Sequence, residues 1–146
     1  MPLALTPSSR SMSAQILADL LPSLRGLGLL AQDAHWRVLG PMFGELHTLF
    51  GDLYAFVSGT YADAVAERIA QLQAPIPRSV VRSEHDLPTD GAKLCAELER
   101  AIMSASSRAY EAMNRLERVD PVFLARLQDL QAQLEKYAWQ ISAHIS

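Results

Sequence analysis

QAPIPRSVVRSEHDLP, residues 73–88, decides how the rest of the chain is arranged. Pro75, Pro77 and Pro88 deny it regular helix, because each removes a backbone donor and fixes φ. Ser79–Val81 is ambiguous and could be read as a short extended piece. Nothing else in the chain reads as a strand for more than a few residues. A connection this long can run the length of a helical bundle and return the chain in the same direction.

On either side of it lie long stretches with helical periodicity. Upstream, about Phe43 to Leu72, the apolar residues Leu46, Leu49, Leu53, Phe56, Tyr61, Val65, Ile69 and Leu72 line one face, with a slip in phase between Phe56 and Tyr61. Before that, about Ser11 to Val38, run Ile16, Leu20, Leu24, Leu27 and Leu30. Pro22 and two glycines weaken this helix, and Gly40-Pro41 stops it. Downstream, a helix is expected from Thr89 or Asp90, carrying Leu94, Leu98, Ile102, Ala105, Ala109, Met113 and Leu116. The last begins with Asp120 as N-cap and Pro121 in the first turn, and continues through Phe123, Leu127, Leu130, Leu134, Tyr137, Ala138, Ile141 and Ile145. The first pair and the last pair are joined by turns of a few residues, so each pair is antiparallel. Two hairpins joined by one long crossover, between the second and third helices, is the all-α, ferritin-like four-helix arrangement. A single domain over residues 1–146 is expected, with a short N-terminal tail at 1–10.

Bulk properties narrow the function. A net charge of -3 gives no electrostatic reason to expect a nucleic-acid binder. The single cysteine, Cys95, cannot form an internal disulfide and reads as a small core residue. Arg10, Asp19 and Arg25 interrupt the apolar N-terminal stretch, which lacks the features of a signal peptide. No uncharged run approaches the ~20 apolar residues that span a bilayer. A cytoplasmic protein is expected.

The residues with ligand chemistry fall into two groups. Asp63 and Glu67 are four apart on the second helix and share a face. Asp52, eleven residues before Asp63, shares that face if the helix is regular. Such oxygen donors suit a hard or borderline cation such as Fe(II), Mn(II) or Mg(II). His35, beside Trp36 at the end of the first helix, and His47, one turn into the second, are brought together by the Gly40-Pro41 corner. His47 and Asp63, however, are ~24 Å apart at about 1.5 Å per residue, too far to share an ion within one chain. If two copies pack about a two-fold axis with second helices antiparallel, His47 of one approaches Asp63 and Glu67 of the other, and the pair carries two equivalent sites. Glu-x-x-His, the motif of intrasubunit di-iron bundles, occurs nowhere in the chain.

With these spacings in place, His35-Trp36-Arg-Val-Leu-Gly-Pro-Met-Phe-Gly-Glu-Leu-His47 resembles the signature of the Dps family, the mini-ferritins that protect DNA during starvation. Asp63-Ala-Val-Ala-Glu67-Arg68-Ile69 resembles its second signature, and Glu135-Lys136-Tyr-Ala-Trp139 its C-terminal helix. The likeness runs from about Gln15 to Ile145. It implies a hollow dodecamer built from two-fold dimers, with an iron centre at each dimer interface that oxidises Fe(II), typically with hydrogen peroxide, and mineral stored inside. His35 and His47 would be ligands from one subunit, Asp63 and Glu67 from its neighbour. Trp36 would intercept oxidising equivalents or pack the interface.

The chain departs from the family at one point. An acid is expected four residues after the second histidine, where Gly51 stands, and Asp52 follows. Asp52 to Asp63 keeps the family's spacing of eleven, so one residue is inserted between His47 and Asp63. A π-bulge at Gly51 or Gly59 would absorb it, and the reach of Asp52 to the metal stays open. Residues 1–12 hold one Arg and no Lys, so tight DNA binding is not expected. Asp120 and Asp129 could line an acidic pore or serve as an N-cap and a solvated face. The alternatives to a ferroxidase are a Dps-like assembly with a degenerate centre, acting as a structural or metal-buffering protein, and an unrelated helical interaction module.

Overall fold

The computed structural model describes residues 4–82 and 86–145. Helix α1, Pro7–Arg37, starts earlier than the sequence suggested, inside the stretch 1–10 read as a tail. The reason is local: Thr6 caps the helix by accepting from the Ser9 N–H at 3.1 Å, and Pro7 supplies a preset φ in the first turn. Met1–Leu3 lie outside the described residues.

After the Gly40-Pro41 corner, α2 (Phe43–Phe56), a π-helical segment (Val57–Ala62) and α3 (Asp63–Gln71) follow one another. Their backbone angles stay helical across both junctions, so they form one rod. The wide turn of the π segment holds the extra residue and accounts for the phase slip between Phe56 and Tyr61. It contains Gly59 and leaves Gly51 in regular α-helix. Helices α4 (Gly91–Leu116) and α5 (Pro121–Ala143) open on the side-chain caps Asp90 and Asp120.

The described part of the crossover runs as irregular chain, and Ser79–Val81 forms no strand. Its end meets the first corner, where the Leu39 N–H donates to the Thr89 carbonyl at 2.9 Å. Helix α4 therefore starts at the end of the bundle where α2 starts and runs parallel to it. Midway, the Val81 N–H donates to the carbonyl of Pro22 at 3.1 Å. The strap lies so close there that a Cβ on Gly26 would stand 1.7 Å from the Val81 oxygen. Gly26, a weak helix former in α1, is what allows the crossover to lie flat against it.

One continuous core unites all elements, with Leu17, Leu24, Leu46, Phe50, Leu53, Ile69, Leu94, Leu98 and Leu134 fully buried. By length and composition α1 could cross a membrane, but 56% of its most apolar window is buried in the bundle. Across the middle runs a polar seam. The Tyr61 hydroxyl donates to Gln131 Oε1 at 2.9 Å, and Gln131 Nε2 donates to Ser106 Oγ at 2.9 Å. Burial, and then the nearby Glu135 and Tyr110, push the Tyr61 phenol well up. Among the described residues no buried side-chain N or O lacks a partner, as a polar group in a close-packed core requires.

Candidate metal centre

The short corner between α1 and α2 folds His35 back onto His47. Their rings stack with centroids 3.9 Å apart and 17° between planes, and Phe43 stacks on the far side of His47 at 5.0 Å. Each ring bonds to the other residue's main chain: His35 Nδ1 lies 2.6 Å from the His47 carbonyl, and His47 Nδ1 lies 2.8 Å from the His35 carbonyl. A carbonyl only accepts, so both Nδ1 atoms carry the proton and donate. In the neutral rings the Nε2 lone pairs are then free, the tautomer a metal-binding histidine needs. Gly51 lies against this pair, where a Cβ would sit 2.8 Å from His35 Nδ1. Trp36 is 65% exposed beside it.

The carboxylates stand further along the rod. Asp63 opens α3 and Glu67 lies one turn on, and both are exposed. Asp63 borders a cleft of about 500 Å³ between α1, the rod and the crossover, walled by Leu21, Arg25, Ala62, Ile76 and Arg78. Because the π segment comes after Phe56, Asp52 keeps regular register with His47. Five residues at ~100° each turn Asp52 about 140° away from the His47 face, whereas Gly51, four residues on, shares it. Among the described residues, no three His, Cys, Asp or Glu side chains gather within the chain as a metal cage.

Arg68 and Asp120, the second of which could have lined a pore, meet inside the bundle. Arg68 is buried, although it follows the exposed Glu67. Its Nη2 and Nε donate to the two carboxylate oxygens of Asp120, at 2.7 and 3.0 Å. Asp120 is 0% exposed and also accepts from Ser13 Oγ at 2.7 Å and the Phe123 N–H at 3.3 Å. Burial alone would raise its pKa. The Arg68 and Ser13 hydrogen bonds and the Arg68 charge outweigh burial and hold it below the ordinary carboxylate value. Asp120 is thus an N-cap and an ion-pair partner, and faces no pore. Asp129 is exposed. Phe43, Gly51 and the Arg68–Asp120 pair were missed as neighbours of the site. The i,i+4 spacing of Phe43 and Gly51 about His47 was the signal for the first two.

An all-helical bundle of two hairpins and one long crossover defines the ferritin-like class. No protein-family model matches the chain. DNA protection during starvation protein 2 of Deinococcus radiodurans is 30% identical over 141 residues, covering 91% of this chain. The chain spans 58% of that relative's length. DNA protection during starvation protein of Mycolicibacterium smegmatis is 29% identical, over 90% of this chain and 76% of that protein. The solved tetragonal form of Mycobacterium smegmatis Dps superposes with a TM-score of 0.88 at 27% identity, covering 98% of this chain and 92% of that one. Sequence likeness along nine-tenths of the chain, with the shared fold, makes the chain similar to Dps proteins and supports the Dps ferritin-like family.

Proposed function

We propose that the protein is an iron-binding mini-ferritin that oxidises Fe(II) with hydrogen peroxide at centres shared between subunits, stores the ferric product, and so protects against oxidative stress. The observation that carries this reading is the reciprocal pairing of His35 and His47, which ties each Nδ1 to a carbonyl and leaves the Nε2 of each stacked ring as the free ligand atom. Among the described residues nothing bonds to those two nitrogens. Imidazole nitrogens with carboxylate oxygens are a suitable donor set for Fe(II). Asp63 and Glu67 of a second copy complete the set when two rods pack antiparallel about a two-fold axis. A homo-oligomer is therefore part of the proposal, and a dodecamer built from such dimers is its finer form. The exposure of Asp63 and Glu67 supports it, since both carboxylates are accessible to a partner.

Fe(II) is the substrate. Two Fe(II) ions give one electron each to hydrogen peroxide, the O–O bond breaks, and two protons are taken up as two waters leave. The chain's part is to hold the metal with neutral imidazoles and charged carboxylates, leaving positions open for the oxidant. Trp36, exposed next to His35, offers an electron-rich ring to stray oxidising equivalents. A cytoplasmic setting fits the lone thiol of Cys95. A net charge of -3 supports weak or absent DNA binding.

The test is stopped-flow oxidation of Fe(II) by peroxide, comparing wild type with Glu67→Ala. A large loss of rate is expected, and an unchanged rate overturns the assignment. A second reading is favoured by Gly51, which stands where the family's extra acid would be: the assembly holds metal without turning it over. Metal binding with no peroxide-dependent oxidation in the wild type would establish that reading instead.

A further inference from the structure

Gly51 stands one turn beyond His47 on α2, and its vacant side is filled by the His35 ring. A Cβ at this position would lie 2.8 Å from His35 Nδ1 and 2.9 Å from Cε1, closer than such atoms approach. The ring has nowhere to retreat. It is stacked on His47 at 3.9 Å, and its Nδ1 is tied to the His47 carbonyl at 2.6 Å. Gly44 and Gly59, in the same rod, have nothing within 4 Å of their would-be Cβ. Within the rod, the requirement for glycine is therefore specific to position 51.

We propose that Gly51 is a positioning residue of the metal centre: the side chain it lacks is the space that lets His35 keep its Nδ1–carbonyl bond and present Nε2. This rests on the reading of His35 and His47 as ligands. It also reverses the meaning of the missing acid. A side chain at 51 and this His35 geometry are mutually exclusive, so the absence of a carboxylate there is a condition of the histidine pair and not a sign of decay. The centre is then built from two imidazoles and the carboxylates of a second copy, without a further acid from α2.

The experiment compares Gly51→Ala, Gly51→Asp and Gly44→Ala in the full-length assembled protein, by titration with Co(II) and by thermal unfolding without metal. Gly44→Ala should raise Tm, as alanine does in an open helix position. Gly51→Ala should lower Tm and weaken Co(II) binding by about 10–100-fold, the scale on which outer-shell partners of metal ligands act. Gly51→Asp should weaken it too, although it adds a potential ligand. Tighter Co(II) binding by Gly51→Asp, or unchanged binding by Gly51→Ala, overturns the inference.

Should the Gly51 variants assemble poorly, the His35→Ala background decides. With the ring gone, Gly51→Ala should raise Tm as Gly44→Ala does. A fall in Tm there means the glycine serves packing unrelated to His35, and the inference fails. Wild-type protein that binds no Co(II) sinks the metal-centre reading itself, while the unfolding comparison still reports whether His35 and Gly51 are coupled.

Discussion

Arg68 grips both oxygens of Asp120, Nη2 to Oδ1 at 2.7 Å and Nε to Oδ2 at 3.0 Å, in the buried layer where α1, α3 and α5 meet. Further hydrogen bonds hold the pair, with Ser13 and the Phe123 N–H on the carboxylate and Gln71 Oε1 accepting from Arg68 Nη1 at 3.0 Å. It fixes the last turns of the rod, and with them the backbone from which Asp63 and Glu67 project.

Removing one partner strands the other charge. Arg68→Ala should destabilise the protein by about 3–5 kcal/mol, the usual cost of breaking a buried pair from one side. Chemical denaturation at neutral pH measures this, and a loss below ~1 kcal/mol, the range of exposed pairs, would show the contact to be incidental.

The same pair sets a pH dependence. Asp120 has a folded pKa held below its ordinary value of 3.8. Its contribution to stability is therefore complete above about pH 3.8 and is lost as the pH falls from there through the folded pKa. Asp120→Asn keeps an N-cap side chain while removing the charge. It should be less stable than wild type at pH 7, and the gap should narrow below about pH 3.8 as the wild-type carboxylate protonates. A gap that widens in acid would contradict the assignment.

Register separates the carboxylates of the rod. Asp63→Asn and Glu67→Gln should each weaken Co(II) binding by tenfold or more, about 1.4 kcal/mol per factor of ten. Asp52→Asn, turned about 140° from the His47 face, should change it by less than about twofold. Equal losses at all three positions would mean that the rod presents a different face to its partner.

Cys95 is fully buried, and burial, with Glu99 and Asp90 nearby, pushes its thiol up to about 11. The thiolate is the reactive form, so folded protein at pH 8 should resist alkylation, with rapid labelling only after denaturation. Fast labelling of native protein would show that α4 opens locally.

Much of this architecture is legible in the residues because it follows from short-range rules. The caps Asp90 and Asp120, the corner at Gly40-Pro41 and the phase slip before Tyr61 each announce themselves within a turn of chain. Proximity of His35 and His47 follows from the corner alone. The expected tail failed at Pro7 because Thr6 makes a cap that reads as ordinary polar sequence. The Arg68–Asp120 pair was hidden because its partners are far apart in sequence, and each looks like a surface residue beside its own neighbours. Gly51 was visible only as a missing acid. That it houses a ring from another helix is a three-dimensional fact, set by the angle at which α1 returns onto α2. The placement of the extra residue, between two candidate glycines, was decided by packing: Gly51 is pressed by His35, whereas Gly59 faces open space.

The crossed bonds of His35 and His47 have a further consequence for how the centre tolerates damage. What orients each ring is the other residue's peptide carbonyl, and a peptide carbonyl survives any substitution of its side chain. Replacing one histidine with alanine removes one donor and one stacking surface but leaves the acceptor that sets the proton on the remaining ring. Injury here is expected to be graded, with a half-armed centre that still holds metal weakly, and no single side chain is a point of total failure.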